Sequence, residues 1–516
     1  MESYIVLIAF LSAVLLLDYV WNRKGKTSLP LPPGPTPLPL LGNLLSIQRD
    51  APWRTYKEWS MVYGDIIYTR VLSQGAIVIN SEKVARALLE TRSSNYSDRP
   101  RFATIELFGI QFRTVLLAYG DRWRLHRRMY HQAFRADAAV RYRPMQLQKG
   151  RQLALDLLSD PKGHNIDMHL QNHSASIIMS AVYDYNTESR NDPLVAIVRG
   201  AMEMVIVAST PEKAAILDAY PILTRLPPWF PGATFRRQAL NCRKYITDMV
   251  EKPFEHVKKN MAAGIAGPCM VSDSLKKVEG DDYDGPFAQA IKHSSATAFS
   301  AASETTYSTL LVFIQQMVLN PHVQERAQAE IDSTVNSGRL PDFSDRPLLP
   351  YVEAVLRETL RYYPVAPLGI AHASVDSDVY EGYYIPKGVT IMVNQWGISR
   401  DESKYPNPSE FKPERFITPS GGLNDDTAMF GFGWGRRICP GRFVADASLW
   451  SAIATMLAVL NFSKAEDAEG KNINFEPKWT AGVASRPVKF PCRIRPRRPD
   501  LDSEGLARLL ELSAAQ

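Results

Sequence analysis

Cys439 lies near the end of the run Phe432-Gly433-Trp434-Gly435-Arg436-Arg437-Ile438-Cys439-Pro440-Gly441. Glycines let the backbone approach a ligand closely, and basic neighbours favour thiolate over thiol, so this sulfur has the surroundings of a metal ligand. An apolar helical stretch, Val444 to Leu460, follows at once and places the sulfur near a helix N-terminus, where the dipole also favours an anion. Most cysteines are simply small buried hydrophobes, but the ten-residue context argues against that here. The four cysteines, Cys242, Cys269, Cys439 and Cys492, are scattered without a Cys-x-x-Cys pair, which speaks against zinc. The same scatter offers no disulfide framework and fits a reducing compartment. A nucleophilic cysteine needs a positioned histidine, and nothing around the nine histidines suggests one.

Four other constellations carry polar chemistry. In Trp123-Arg124-Leu125-His126-Arg127, spacing of four puts Trp123 and Arg127 on one helical face, where both can donate to an anion; a solvated arginine face is the plainer alternative. Hydroxyls and a carboxylate interrupt an apolar helix at Ala301-Ala302-Ser303-Glu304-Thr305-Thr306. Threonine hydroxyls that bond back to the carbonyl four residues earlier open the helical ladder and make a groove, unless the cluster is only a packing face. Glu358 and Arg361 stand three apart, a pair usually worth about a few tenths of a kcal/mol at a surface, and Pro413-Glu414-Arg415-Phe416 offers a third member. His372 ends the run Ala366-Pro367-Leu368-Gly369-Ile370-Ala371-His372, and a lone histidine is usually a bystander.

The complete pattern Phe-x-x-Gly-x-Arg-x-Cys-x-Gly resembles the heme-binding loop of the cytochrome P450 superfamily. The order Trp-x-x-x-Arg, acid-Thr, Glu-x-x-Arg, Pro-Glu-Arg-Phe and cysteine loop extends that resemblance from the N-terminus to about Arg495. It implies a heme b group whose iron takes Cys439 as axial ligand, within a loop that includes Phe432, Gly435 and Gly441. It also implies propionate contacts from Trp123, Arg127, His372 and Arg437, and a structural ion network of Glu358, Arg361 and Arg415. Glu304 and Thr305 would line the oxygen-binding groove and manage proton delivery; Ala302 departs from the glycine usual there. The implied activity is insertion of one oxygen atom from O2 into a hydrophobic small molecule.

No strand runs into a Gly-x-Gly-x-x-Gly turn, so electrons from NADPH are expected through NADPH-cytochrome P450 reductase, with cytochrome b5 as a further partner. A docking face of Arg124, Arg128, Arg436 and Arg442 is expected near the cysteine loop. By the same resemblance the pocket is lined by Phe108, Ile110, Phe112, Phe299, Ala301, Val365, Ala366, Leu368 and Val483, which suits a terpenoid, polyketide or aromatic substrate. The phrasing is similar to fungal, basidiomycete-type members of secondary or xenobiotic metabolism. A heme-thiolate isomerase or dehydratase needing no external electrons is an alternative, but such enzymes typically lose the acid-Thr pair; a non-enzymatic membrane heme binder is another.

The elements that must position these residues are mostly helical. Helices are expected from about Phe287 to Leu319, stopped by Asn320-Pro321, and around Val352 to Leu360, ended by Pro364. Short β-like runs appear near Ile66 to Ile79, Val379 to Val393 and Phe475 to Arg495, and Ala262 to Gly285 reads as a surface loop. The expected class is mainly α with a small β portion, in the cytochrome P450 fold.

Composition is that of a globular chain of 516 residues, 45% hydrophobic and 22% charged, with a net charge of +6 too mild and scattered for nucleic acid. Tyr4 to Trp21 is apolar except for Ser12 and Asp18 and would span about 27 Å as a helix, enough for an endoplasmic reticulum bilayer. Arg23, Lys24 and Lys26 follow and keep the body cytosolic by the positive-inside rule. The expected division is a transmembrane anchor at 1–22, a basic and proline-rich linker at 23–44, a catalytic domain at 45–496 and a polar tail at 497–516. Sequons at Asn95, Asn172 and Asn461 would face the cytosol unmodified.

Overall fold

The computed structural model describes residues 29–188, 192–208, 211–278, 285–335, 339–501 and 504–508. The expected anchor at residues 1–22 lies outside them. The longer helices are α1 (Pro52–Tyr63), α2 (Asp121–Phe134), α3 (Arg143–Leu158), α4 (Ile166–Tyr183), α5 (Pro193–Ala208), α6 (Thr234–Ala262), α7 (Pro286–Leu319), α8 (Pro321–Thr334), α9 (Pro350–Tyr362) and α10 (Arg442–Val459). Proline opens α1, α7, α8 and α9, where its missing N–H costs nothing and its fixed φ suits a first turn.

The longest helix, α7, has 34 residues and is buried on all sides from Thr306 to Val318, as a helix through the middle of a domain must be. Its C-terminal half joins α3, α4, α8, α9 and α10 in one apolar cluster that includes Leu153, Leu170, Phe313, Val355 and Trp450. Its N-terminal half joins α2, α4 and α6 in a second, around Phe134, Met179, Phe254 and Phe299. The helix begins and ends where the sequence places it. The expected opening of its ladder is absent: α7 is continuous, and the hydroxyls of Ser303, Thr305, Ser308 and Thr309 bond back to carbonyls without breaking it.

The β portion is small. Strands β1 (Ile66–Val71), β2 (Gln74–Ile79), β3 (His372–Ala373) and β6 (Thr390–Val393) form one sheet in the order β1-β2-β6-β3. The β1/β2 hairpin pairs Ile66 with Ile79, and β2 runs parallel to β6 with Ala76 opposite Thr390. That pairing joins the start of the chain to its last third. Strands β4 (Asp378–Tyr380) and β5 (Tyr383–Ile385) make a second hairpin. The third expected run is mostly irregular: only β8 (Cys492–Pro496) is a strand there, and its partner β7 (Leu460–Lys464) directly follows α10.

Other expectations need correcting. The expected loop at 262–285 contains the helix Met270–Leu275, whose N-terminus is capped by Cys269 and Ser272. From residue 29 on, the proline-rich segment is no free spacer, because the Pro33 and Pro30 carbonyls accept from Tyr68 and Tyr384 N–H. The start of the expected polar tail is packed, with Leu501 and Leu506 buried in the main apolar cluster. Asn95 and Asn461 spend their side chains on Asp376 and Gln324. Among the described residues, α10 is the one helix long and apolar enough to cross a membrane, and 72% of it is buried in the protein.

Glu358 and Arg361 of α9 hold the chain that leads toward the cysteine loop. Both are fully buried and pair twice, at 2.6 and 2.8 Å. Arg415 Nε reaches Glu358 at 3.2 Å, and the Lys412 N–H donates to the same carboxylate at 2.7 Å. Arg361 also donates to the Ser399, Pro408 and Glu410 carbonyls. Glu358 serves both guanidiniums, and their remaining donors meet backbone carbonyls, which is the condition for burying them. Glu358→Ala should therefore cost about 3–5 kcal/mol of stability, since it strands the Arg361 cation in the interior. A denaturant midpoint equal to wild type would show that water reaches Arg361.

Candidate functional site

Two short 3-10 turns, Met429–Phe432 and Gly435–Arg437, fold the cysteine segment back on itself before α10 begins. Gly433 at φ +85° and Gly435 at φ +52° adopt left-handed backbone that side chains resist. At Gly435 a Cβ would also lie 1.8 Å from the Leu89 carbonyl oxygen. The Cys439 N–H donates to the Phe432 carbonyl at 2.8 Å and closes the loop, while the Gly441 carbonyl accepts from Ala445 N–H in the first turn of α10.

The sequence predicts a thiolate at Cys439 from its basic neighbours. Burial instead pushes this thiol up, outweighing the Gly441 backbone hydrogen bond and the charges of Arg127 and Arg442 that pull it down. The loop alone therefore favours thiol; a metal bound to this sulfur would take the proton's place.

Around the loop stands a group of cations. Arg437 is buried and donates to the Ser97 and Leu117 carbonyls at 2.7 and 2.8 Å, and more weakly to Thr114 at 3.5 Å. Arg127 of α2 reaches the Ile438 carbonyl at 2.7 Å. Trp123, one turn earlier, lies under both guanidiniums, 4.6 Å from Arg437 and 5.9 Å from Arg127. Arg99, which the sequence reading missed, is buried and donates to Val115, Ile370 and Ala371 carbonyls. Its only sequence signal is the dipeptide Arg99-Pro100, in which proline holds the preceding residue extended.

His372 is buried with Nδ1 2.8 Å from the Tyr96 carbonyl. A carbonyl only accepts, so the neutral ring carries its proton on Nδ1, and Nε2 donates only after a second protonation. Burial first, then Arg99 and Arg437, hold the His372 pKa well below the usual histidine range. The same physics lowers Arg437 to about 10, chiefly through burial with Arg127 adding repulsion, and lowers Arg99 through burial and Arg437. Asp98 is the carboxylate that opposes these shifts. Cations lodged beside one another against backbone carbonyls, with so little negative charge, suit a buried group bearing two carboxylates. The sulfur fits as well: Cys439 keeps partial exposure although its surroundings are protein.

Thr305 is exposed in the middle of α7 although Phe299, Ser300 and residues 306–318 are buried, so it borders interior space rather than packed atoms. Its Oγ1 donates to the Ala301 carbonyl at 3.1 Å. The Glu304 carboxylate does not stand free: Arg486 Nη1 holds it at 2.8 Å. Arg486 too carried no pattern in the sequence beyond a following proline. Ala302 packs at the edge of the second apolar cluster.

Of the expected pocket residues, Phe108 and Phe299 are sealed inside that cluster, while Val365, Ala366 and Leu368 are half-buried and Val483 is 65% exposed. Of the expected docking arginines, Arg124, Arg128 and Arg436 are exposed, but Arg442 is turned inward onto the Cys439 carbonyl at 3.1 Å.

A model of the family described as Cytochrome P450 matches residues 32–491. The chain is 36% identical over 493 residues to a cytochrome P450 monooxygenase of Armillaria gallica, covering 94% of this chain and 96% of the relative. It is 35% identical over 506 residues to cytochrome P450 monooxygenase ple1 of Rhodocybe pseudopiperita, covering 97% and 96%. Against cytochrome P450 monooxygenase COX2 of Coprinopsis cinerea the identity is 37% over 486 residues, covering 93% and 91%. The chain belongs to the cytochrome P450 family, enzymes of the monooxygenase type whose cofactor is a cysteine-ligated heme iron.

The packing behind Trp123 and Arg127 yields a pH test. His126 has no exposed surface, and its Nδ1 lies 2.8 Å from Thr114 Oγ1. Burial, then Arg122 and His293, lower its pKa to about 3. Because the folded value is below the unfolded one of about 6.5, the unfolded chain binds the extra proton, and this group's stability falls as pH drops from there toward 3. Wild type should lose on this account about 1.4 kcal/mol per pH unit below pH 6.5. Denaturant titrations between pH 7 and 4.5 should show that slope reduced in His126→Gln; parallel slopes would mean that the ring is hydrated in the fold.

Proposed function

We propose that this enzyme inserts one oxygen atom from O2 into a hydrophobic small molecule of secondary or xenobiotic metabolism. Electrons come from NADPH through NADPH-cytochrome P450 reductase, with cytochrome b5 as a further donor. Residues 1–22 anchor it in the endoplasmic reticulum membrane, with residues 45–496 as the cytosolic catalytic domain. The observation that carries the oxygen-inserting reading is the acid–alcohol pair: Thr305 offers a hydroxyl to interior space, and the Glu304 carboxylate follows the same helix one residue before it. An isomerase or dehydratase has no use for proton delivery at that place.

Cys439 would hold the heme iron through its sulfur, and Trp123, Arg127 and Arg437, joined by Arg99, would hold its carboxylates, with His372 joining them once protonated on both nitrogens. Bound heme supplies the activation of O2, its thiolate ligand favouring O–O cleavage. The chain's own residues do the rest. Phe432, Gly435 and Gly441 shape the loop that aims the sulfur. Thr305 Oγ1 exchanges its bond to Ala301 for one to the reacting site and holds a proton there. Glu304 passes protons toward Thr305 and recovers them from solvent. Ile110, Phe112, Val365, Ala366 and Leu368 orient an apolar substrate and exclude water. Arg124, Arg128 and Arg436 give an exposed basic face for an acidic electron donor.

Cys439→Ser should abolish the thiolate-type absorption of the reduced carbon monoxide complex, because an alcohol is too poor a ligand to replace thiolate. Retention of that spectrum would falsify the ligand assignment. Thr305→Ala should leave heme content and the substrate-induced spectral shift intact, while product per NADPH falls several-fold and hydrogen peroxide rises. Thr306→Ala, about 100° around the helix and buried, should change coupling much less. Product, peroxide and NADPH counted together decide this, and equal coupling in wild type and Thr305→Ala would remove the hydroxyl from the mechanism.

A further inference from the structure

Arg486 enters the site from a turn far along the chain. Its side chain and that of Glu304 are 30% and 28% exposed, with Nη1 to Oε1 at 2.8 Å, and its guanidinium lies over the Tyr307 ring at 5.3 Å. The turn that carries it is tightly closed. Trp479 bridges to Pro487, the Arg486 N–H donates to Thr480 Oγ1 at 3.1 Å, and the Arg486 carbonyl accepts from Thr480 N–H at 2.9 Å. Ser485 ties the same turn to α9 and the residues after it: its N–H donates to the Val365 carbonyl, and its hydroxyl lies 2.9 Å from Tyr363 OH. A side chain on so fixed a base presents its charge to Glu304 at a set position.

The groups facing Glu304 come from four directions. Glu203 of α5 and burial push its pKa up, burial being the larger cause, and Arg486 pulls it down. Tyr307, one turn on in α7, stays a neutral hydroxyl because burial pushes its pKa up to about 12, outweighing Arg486 and the Gln171 side chain, which pull it down. Asp167, in the first turn of α4, feels both Arg486 and Lys489, and its own pKa is raised by burial. Lys489 reaches the His164 carbonyl at 3.0 Å, at the exposed edge of this group. Glu304, Arg486 and Tyr307 thus form one polar group between the middle of α7 and the turn at 479–488.

We propose that Arg486 is the positioning residue of proton delivery, holding the Glu304 carboxylate in place from the turn at 479–488. This rests on the reading that Glu304 and Thr305 deliver protons. A guanidinium does not release protons in proteins, so Arg486 orients and does not carry. For each proton delivered, Glu304, whose side chain is 28% exposed, takes it from solvent water, gives it up on the Thr305 side and returns to carboxylate. Protonation of Glu304 weakens its pair with Arg486 and frees it to turn; loss of the proton restores the pair.

The test uses Arg486→Met, Arg486→Gln, Arg486→Lys, Asp167→Asn and Glu304→Gln in the full-length, heme-loaded enzyme, with coupling measured as product per NADPH. A second readout is independent of turnover: the infrared carboxyl band of Glu304, identified as the difference from Glu304→Gln, followed against pH without substrate. In Arg486→Met the protonated band should persist to higher pH than in wild type, because burial and Glu203 remain and the opposing charge is gone. Coupling should fall several-fold with its pH optimum displaced, at an unchanged substrate concentration for the half-maximal heme spectral shift. Arg486→Lys should restore most of both. Asp167→Asn, which leaves the Glu304–Arg486 pair in place, should keep the wild-type Glu304 titration. An unchanged Glu304 titration in Arg486→Met overturns the positioning role. Where Arg486→Met fails to load heme, an unchanged Glu304 titration in Arg486→Gln overturns it. Normal coupling in Glu304→Gln is a different failure, that of the acid–alcohol reading itself.

Discussion

Arg99, Arg127 and Arg437 bring three guanidiniums to the cysteine loop, and Asp98 is the one carboxylate that opposes the shifts of Arg99 and Arg437. Cations held this way need acceptors, and backbone carbonyls supply them: Ser97, Thr114, Val115 and Leu117 before α2, Ile370 and Ala371 before β3, and Ile438 beside the sulfur. Three stretches distant in sequence are thereby tied to one point. The arrangement costs stability until a dianion arrives, because each guanidinium raises the cost of burying the next. A bound group bearing two carboxylates would offset that cost.

The Glu358 network beside it obeys the opposite rule. Its carboxylate is satisfied by Arg361, Arg415 and the Lys412 N–H, and Arg361 spends its remaining donors on carbonyls. Nothing is left over for a ligand. The two clusters differ in how their cations are met: Glu358 pairs directly with both Arg361 and Arg415, whereas Arg99, Arg127 and Arg437 lean on backbone carbonyls. The first holds the chain from α9 toward the loop.

Helix α7 shows how a reactive line is kept inside an apolar bundle. The hydroxyls of Ser303, Thr305, Ser308 and Thr309 are each satisfied by the carbonyl four residues earlier, so none breaks the helix, yet any of them can exchange that bond. Glu304 is the exception, because no local backbone donor can neutralise a carboxylate. It draws its partner from the turn at 479–488, and this couples the middle of α7 to the C-terminal part of the chain.

The sequence by itself determined the family, the course of α7, α9 and α10, and the β-like runs near 66–79 and 379–393. These depend on local rules: proline at helix starts, apolar periodicity, and a loop whose glycines and cysteine must be adjacent in the chain. Only the tertiary structure decided that Arg99 joins the cation group, that Arg486 holds Glu304, that Arg442 turns inward, and that Phe108 and Phe299 are core rather than pocket. It also decided that Cys439 favours the thiol in the loop alone. Such outcomes depend on burial and on charges brought together across hundreds of residues, and neither quantity is a property of a short segment. A lone arginine before a proline reads the same in a surface turn and in a buried site; what distinguishes them is how much water the fold leaves around it.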